Sequence, residues 1–361
     1  MPLNLTLNDQ ELPASPAFIE FLHATLNGGK YYTGTWFEQE AEVLHKDEDR
    51  FAGIEEMARA VLADEQGAQW VLGSYRFFKE MLTGRPQQLR DVTGYSFFFV
   101  IGIPRTGGTY LTKQLFRAGN IDYQNVQNAL AHDGFPHLSH LSFREQGNVH
   151  TSGLLQLAEY LTMVQVYFRE HGRLAYHGGV VVPKKFTKAI YYFDLVRELF
   201  GDNTHYLITL RHPLSIIRST LDKSGGMPDQ RRFALRSAIE RWAYDDWLHW
   251  GSSQEDILAM TYVECMLGYW KRFHFQLALC GVLRMPTTQV VPYGEQAMTE
   301  AVQDWYKNFG VELRAEQFKV AAPPAFNNEE EAAAQQAIDD VSAFWTSLGL
   351  EFPVSAIGER H

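Results

Sequence analysis

The chain has 361 residues, 45% hydrophobic and 21% charged, enough apolar material for a sizeable core in two domains or in one large α/β unit. Its 32 Lys and Arg against 43 Asp and Glu leave a formal net charge of −11, which argues against a non-specific nucleic-acid binder and against attachment to an acidic membrane surface. Cys265 and Cys280 are spaced for neither a zinc site nor a redox pair, no basic-then-apolar leader opens the sequence, and no apolar run reaches membrane-spanning length; a reduced, cytoplasmic protein without stable membrane insertion is expected.

Residues 1–92 read as a helical region. Pro16 to Leu26 places Phe18, Ile19 and Leu22 at helical spacing and stops at Gly28-Gly29. Phe51 to Asp64 and Ala68 to Leu82 repeat the pattern, and Gly84-Arg85-Pro86 breaks the chain. This region is a candidate cap or homodimer contact. Residues 93–361 alternate strands with helices. Ser96 to Ile103 (SFFFVIGI) is a continuous apolar run, as expected of a strand buried on both faces. A helix is predicted over Gly108 to Arg117. Further strands are predicted at Gly179 to Val182, His205 to Leu210 and Gln289 to Tyr293, and further helices at Lys188 to Phe200, Leu214 to Lys223, Phe233 to Trp250 and Asn328 to Leu348. In the last of these, Ile338, Val341 and Trp345 share a face. The alternation predicts an α/β fold, a mainly parallel sheet flanked by helices; the glycine-rich segment Gly102-Ile-Pro-Arg-Thr-Gly-Gly-Thr109 between strand and helix makes it the P-loop nucleotide-binding type. Residues 119–179 carry His132, His137, His140, His150, His171 and His177. They read as an insertion of the kind that lines a site; with no HxxxH or HxH pair, no metal site is read there.

Two segments carry chemistry. Gly102-Ile-Pro-Arg-Thr-Gly-Gly-Thr109 follows the spacing GxxxxGK(S/T) between a strand and a helix. A glycine-rich turn in that position offers backbone N–H groups, and the helix that follows adds its positive end, so the segment suits an anion. Gly108 stands where a nucleoside triphosphatase keeps its lysine; the cation comes three residues earlier, as Arg105. The second segment, HYLITLRHPLSIIRST, reads as a strand ending at Arg211 and a helix opened by Pro213, with Ser219 eight residues after the arginine. A guanidinium and a hydroxyl converging there suit a dianionic phosphate.

The first segment, PRTGGTYL, resembles the 5′-phosphosulfate loop of the PAPS-dependent sulfotransferases (PAPS is 3′-phosphoadenosine 5′-phosphosulfate), written P-(K/R)-(S/T)-G-(T/S)-T. The cation precedes the glycine in both; Gly108 departs from the usual hydroxyl residue. The Arg211 and Ser219 pair resembles that family's 3′-phosphate motif. VVVPKKFTKAIYYFDLVRELFGD resembles the segment that leads to it, with Lys185 on the family lysine that contacts the transferring sulfuryl group and Lys184 one residue away. The likeness spans residues 96–310 and leaves 1–92 untouched.

The resemblance implies transfer of a sulfuryl group from PAPS to a hydroxyl or amine on a small-molecule or lipid-like acceptor, with release of PAP and without a metal. It implies that Arg105, Thr106, Gly107, Gly108, Thr109 and Tyr110 hold the 5′ side, Tyr110 against the adenine, while Arg211 and Ser219 hold the 3′-phosphate. Arg105, the loop N–H groups and Lys185 would stabilise the charge that develops during transfer. One branch of the family keeps its catalytic histidine two residues after the lysine, where this chain has Thr187. Other branches use a carboxylate roughly twenty to thirty residues past the loop cation as general base. That window holds His132 and Asp133, the two candidates for the base, with His177 as the third. The family's C-terminal basic-glycine loop is not evident; Arg314 and Lys319 are the cations before Pro323-Pro324. A P-loop kinase or nucleotidase, or a non-catalytic nucleotide-binding protein on the same scaffold, is the alternative reading.

Overall fold

The computed structural model describes residues 3–7, 9–28, 48–84, 95–118, 130–131, 151–171, 175–176, 179–201, 204–307 and 326–357. They divide into two compact units, one of Met1–Phe99, Thr112–Lys188 and Asp194–Thr204, the other of Val100–Leu111, Ala189–Phe193 and His205–His361.

In the first unit, β1 (Leu3–Leu7) and β2 (Gln10–Ala14) pair as an antiparallel hairpin with Leu5 opposite Leu12. Leu3, Leu5 and Leu12 are buried. The helical reading of residues 1–92 missed this hairpin, although Leu3, Leu5 and Leu7 alternate with polar residues at the strand period. Three helices follow: α1 (Pro16–Leu26), α2 (Glu48–Ala63) and α3 (Glu65–Leu82). Ser15 caps α1 by accepting from the Phe18 N–H, with Pro16 in the first turn; Asp64 caps α3 by accepting from the Gly67 N–H. The long helix α5 (Thr151–His171) packs on α3. Phe97, Phe99, Phe186 and Phe200 meet edge-on, with ring centres 4.6–5.2 Å apart in the perpendicular pairs, geometry worth about 1 kcal/mol per pair beyond the area buried.

In the second unit, α7 (Pro213–Lys223), α8 (Ala238–His249) and α12 (Asn328–Ser347) pack around α10 (Tyr262–Leu279). Trp270 and Trp345 are fully buried there. The Trp345 indole N–H donates to the His274 carbonyl at 3.0 Å, so its polar atom is satisfied inside the core. Shorter helices are α9 (Gln254–Ala259), α11 (Glu295–Lys307) and α13 (Val354–Ile357).

The main sheet runs β4-β5-β3-β6-β7, from β3 (Tyr95–Ile101), β4 (Ala175–Tyr176), β5 (Gly179–Lys185), β6 (His205–Leu210) and β7 (Thr288–Pro292). Four of these strands are parallel, and β4 pairs antiparallel with β5. The α/β architecture with helices flanking a parallel sheet is the one the alternation of elements predicts. The strand β3 leads into α4 (Gly108–Ala118), and α6 (Phe193–Phe200) precedes β6. Several boundaries move: β3 ends at Ile101 rather than Ile103, and β5 runs on to Lys185 rather than stopping at Val182. The helix predicted from Lys188 resolves into a 3-10 turn, Thr187–Tyr191, and then α6. The helix predicted from Phe233 begins at Ala238, because Ser237 caps it and Arg232 is held extended by a bridge to Thr261. In this order β3 lies between β5 and β6. Among the described residues no helix is long and apolar enough to cross a membrane.

Candidate functional site

The turn after β3 folds back on itself. Thr106 is 1% exposed, and its hydroxyl donates to the Ile103 carbonyl at 2.8 Å. The same oxygen lies 2.6 Å from the Thr209 hydroxyl on β6. A side chain on Gly102 would overlap both hydroxyls, so glycine is required there by close approach to β6. Gly107 has φ 85°, and the Met298 and Tyr293 side chains fill the space its Cβ would need. Arg105 also adopts a left-handed conformation, φ 76°, which costs a non-glycine residue about 1–2 kcal/mol. Strain of this kind persists only where its surroundings over-determine it, and it gathers at ligand sites.

Those surroundings come from the ends of β6 and β7 and from α7. Arg211, the residue after β6, donates from Nη1 to the Arg105 carbonyl at 2.9 Å. The Arg105 guanidinium donates from Nε and Nη2 to the Ser219 hydroxyl, at 2.9 and 2.7 Å. Arg211 and Ser219 are buried. The parallel register sets Leu210 opposite Pro292, so Arg211 and Tyr293 stand side by side at the strand ends. The Arg211 guanidinium carbon lies 3.7 Å from the centre of the Tyr293 ring, and the Trp270 indole N–H donates to the Arg211 carbonyl at 3.3 Å. His212 caps α7 by accepting at Nδ1 from the Leu214 N–H, in place of the usual short polar cap.

Burial lowers the pKa of Arg105, opposed by Tyr293 and Asp222. Burial likewise lowers that of Arg211; Tyr293 opposes this and the Arg105 charge reinforces it. Two guanidinium groups, Arg211 buried and Arg105 half-buried, thus share one corner with a serine hydroxyl and an aromatic ring. An anion placed there relieves their repulsion and takes charge-assisted hydrogen bonds from both.

The structure brings Arg105, Arg211 and Ser219 together. It turns the Thr106 hydroxyl inward and sets Gly107 at the loop's left-handed corner. Gly108, Thr109 and Tyr110 form the first turn of α4, where backbone N–H groups point out of the helix. Sequence reasoning missed Thr209, Tyr293 and Met298. Their signal was positional: a threonine two residues before Arg211, and an aromatic residue just past a parallel strand.

The first unit holds the lysine pair. Lys184 is fully buried, with Nζ 4.3 Å from the centre of the Tyr160 ring. Lys185 is half-buried, and its backbone N–H donates to the Ala131 carbonyl at 2.9 Å. Ala131 is the residue before His132; His132, Asp133 and His177 themselves lie outside the described residues, as do Arg314 and Lys319. Thr187 is buried in the 3-10 turn after β5. Among the described residues no group of three or more His, Cys, Asp or Glu side chains is arranged to hold a metal ion. Comparison of the chain with protein-family models, with curated proteins and with solved structures gives no match.

Proposed function

We propose that this protein is a PAPS-dependent sulfotransferase acting on a hydroxyl or amine of a small-molecule or lipid-like acceptor in the cytoplasm. The observation that carries the reading is the convergence of Arg105, Arg211 and Ser219 at neighbouring strand ends. A nucleotide with phosphate groups on both sides of its ribose calls for two anion subsites of this kind, one at a glycine turn and one at a strand end. The sequence likeness of PRTGGTYL and of the Arg211 and Ser219 pair to the sulfotransferase motifs supports the same assignment.

PAPS supplies the sulfuryl group, and PAP is what remains after transfer. In this reading Arg211 and Ser219 bind the 3′-phosphate, the loop from Arg105 to Thr109 binds the 5′ side, and Tyr110 lies against the adenine. Arg105 and Lys185 stabilise negative charge on the transferring group. Asp133 or His132 takes the acceptor's proton. The lower limb of the pH–rate profile separates these two: an unperturbed histidine places it at about 6.5 and an unperturbed aspartate at about 4. Replacing the base leaves PAP affinity intact and removes that limb.

A thermal-shift comparison of PAP, ATP and GTP, with and without magnesium, tests the reading, because a ligand specific for the native state raises the melting temperature. The expected result is a shift with PAP that needs no magnesium. A larger shift with ATP and magnesium would favour a kinase or nucleotidase. A PAP shift with no sulfuryl transfer to phenols, alcohols or amines would favour a non-catalytic nucleotide binder.

A further inference from the structure

One pair of side chains next to the two anion subsites touches neither of them. Thr106 and Thr209 are each 1% exposed, so neither hydroxyl can reach a ligand. Their oxygens are 2.6 Å apart, and the Thr106 oxygen is 2.8 Å from the Ile103 carbonyl. Thr209 has a second acceptor within reach, the Ile101 carbonyl, at 3.4 Å. Both short distances are satisfied together when Thr209 donates to Thr106 and Thr106 donates to Ile103. One hydroxyl then closes the turn on itself, and the other fastens the closed turn to β6.

The fastening falls beside the strained residue. The carbonyl of Arg105 is held by Arg211, and the side chain of the next residue, Thr106, is held by Thr209. Arg211 and Thr209 are two residues apart on one chain segment. The left-handed Arg105 therefore sits between two tethers to the same strand end, and the glycine at 102 provides the room for the hydroxyl tether.

We propose that Thr209 is a positioning residue, which holds the turn from Arg105 to Gly107 in its anion-binding form through the Thr106 hydroxyl. The proposal rests on the nucleotide reading above for the identity of the ligand, and on the geometry alone for the claim that the turn is what Thr209 controls. Losing the Thr209 hydroxyl leaves the buried Thr106 oxygen without its donor and frees the turn from β6. Arg211 and Ser219 stand on the end of β6 and on α7, off the turn, and Arg211 keeps its seat over the Tyr293 ring. The 5′ side of a nucleotide should therefore suffer and the 3′ side should not.

The test is a calorimetric titration of the full chain and three variants, Thr209→Val, Thr209→Ser and Thr106→Val, with PAP, 5′-AMP, 3′-AMP and inorganic sulfate. Thr209→Val keeps the shape and removes the hydroxyl; it is expected to weaken PAP and 5′-AMP by about tenfold or more and 3′-AMP by less than about threefold. Thr209→Ser keeps the hydroxyl and should bind all of them within about threefold of the parent. Thr106→Val should reproduce the loss, and combining it with Thr209→Val should add little, because both remove one connection. A Thr209→Val protein that melts lower but binds PAP and 5′-AMP like the parent overturns the proposal. So does failure of both valine variants to fold, which would make the pair a folding element. Failure of the nucleotide reading looks different: the parent binds none of the nucleotides. The sulfate titration then decides, with affinity falling in Thr209→Val and kept in Thr209→Ser. A parent that binds neither nucleotide nor sulfate overturns the proposal together with the reading.

Discussion

Arg211 and Arg272 each lie over an aromatic ring in the second unit, 3.7 Å from the centre of Tyr293 and 3.7 Å from the centre of Trp247 respectively. Their other neighbours differ. Arg272 meets a buried carboxylate, with Nε 2.5 Å from Asp246 Oδ2. Arg211 meets the Arg105 carbonyl and the like charge of the Arg105 side chain. A ring beneath a guanidinium does not by itself say what the cation is for. The charge beside it does: an acid completes a structural pair, whereas a second cation makes a corner that gains when an anion arrives.

The strongest way to break this comparison is to remove the acid. Asp246→Ala strips Arg272 of its buried partner, and a loss of about 3–5 kcal/mol in denaturant stability is expected, with PAP affinity in the surviving folded protein unchanged. A fall in PAP affinity without a fall in stability would reverse the roles assigned to the two arginines.

A second carboxylate extends the comparison to the first unit. Glu159 accepts from the Ser15 N–H at 2.5 Å and from the Ser15 hydroxyl at 2.6 Å, and burial pushes its pKa up to about 7 against those hydrogen bonds. For Asp246, burial pushes the pKa up to about 6, with Arg272 opposing. A folded-state pKa raised above the unfolded value means that the folded protein holds the proton more tightly, so the contribution of Glu159 to stability is full below its unfolded value of about 4.5 and is lost as pH rises to about 7. The expected loss over that window is about 3 kcal/mol. Glu159→Gln should remove this part of the pH dependence. A stability curve with the same slope in Glu159→Gln would show that another group titrates there.

The smallest effect concerns the ring itself. Tyr293→Ala removes the platform under Arg211, and a cation over an exposed or partly buried ring is worth about 1 kcal/mol. PAP affinity should fall by about fivefold, while Tyr293→Phe, which keeps the ring, should bind as the parent does. Equal losses in Ala and Phe would assign the effect to the hydroxyl.

Much of the frame was legible in the sequence because the signals are local. SFFFVIGI marked β3, HYLITL coincides with β6, and Pro213 after Arg211 marked the start of α7. The hairpin Leu3–Ala14 was hidden among helical segments because each of its strands has only five residues, too few to outweigh the longer pattern beside them. The helices α9, α10 and α11 went unread although Ser253 and Thr261 open the first two with capping boxes. At the site, Arg105, Arg211 and Ser219 stood out as charged or polar residues at motif positions. Tyr293 and Thr209 did not, because their roles depend on which strand lies beside which. Only the register of β6 on β7 puts Tyr293 next to Arg211, and only the approach of β6 to the turn puts Thr209 against Thr106.

The proposed function stands or falls on Arg211 and Ser219 binding the 3′-phosphate of a nucleotide whose 5′ side is held by the turn after β3. Calorimetry of PAP and 5′-AMP, in chelator to exclude metal, on the parent and on Arg211→Ala addresses it most directly. The parent should prefer PAP, and Arg211→Ala should lower PAP affinity by about 2–5 kcal/mol and 5′-AMP affinity by clearly less, the smaller loss coming from release of the Arg105 carbonyl, so that the preference disappears. Equal losses for the two nucleotides, or a parent that binds them equally, would contradict the claim.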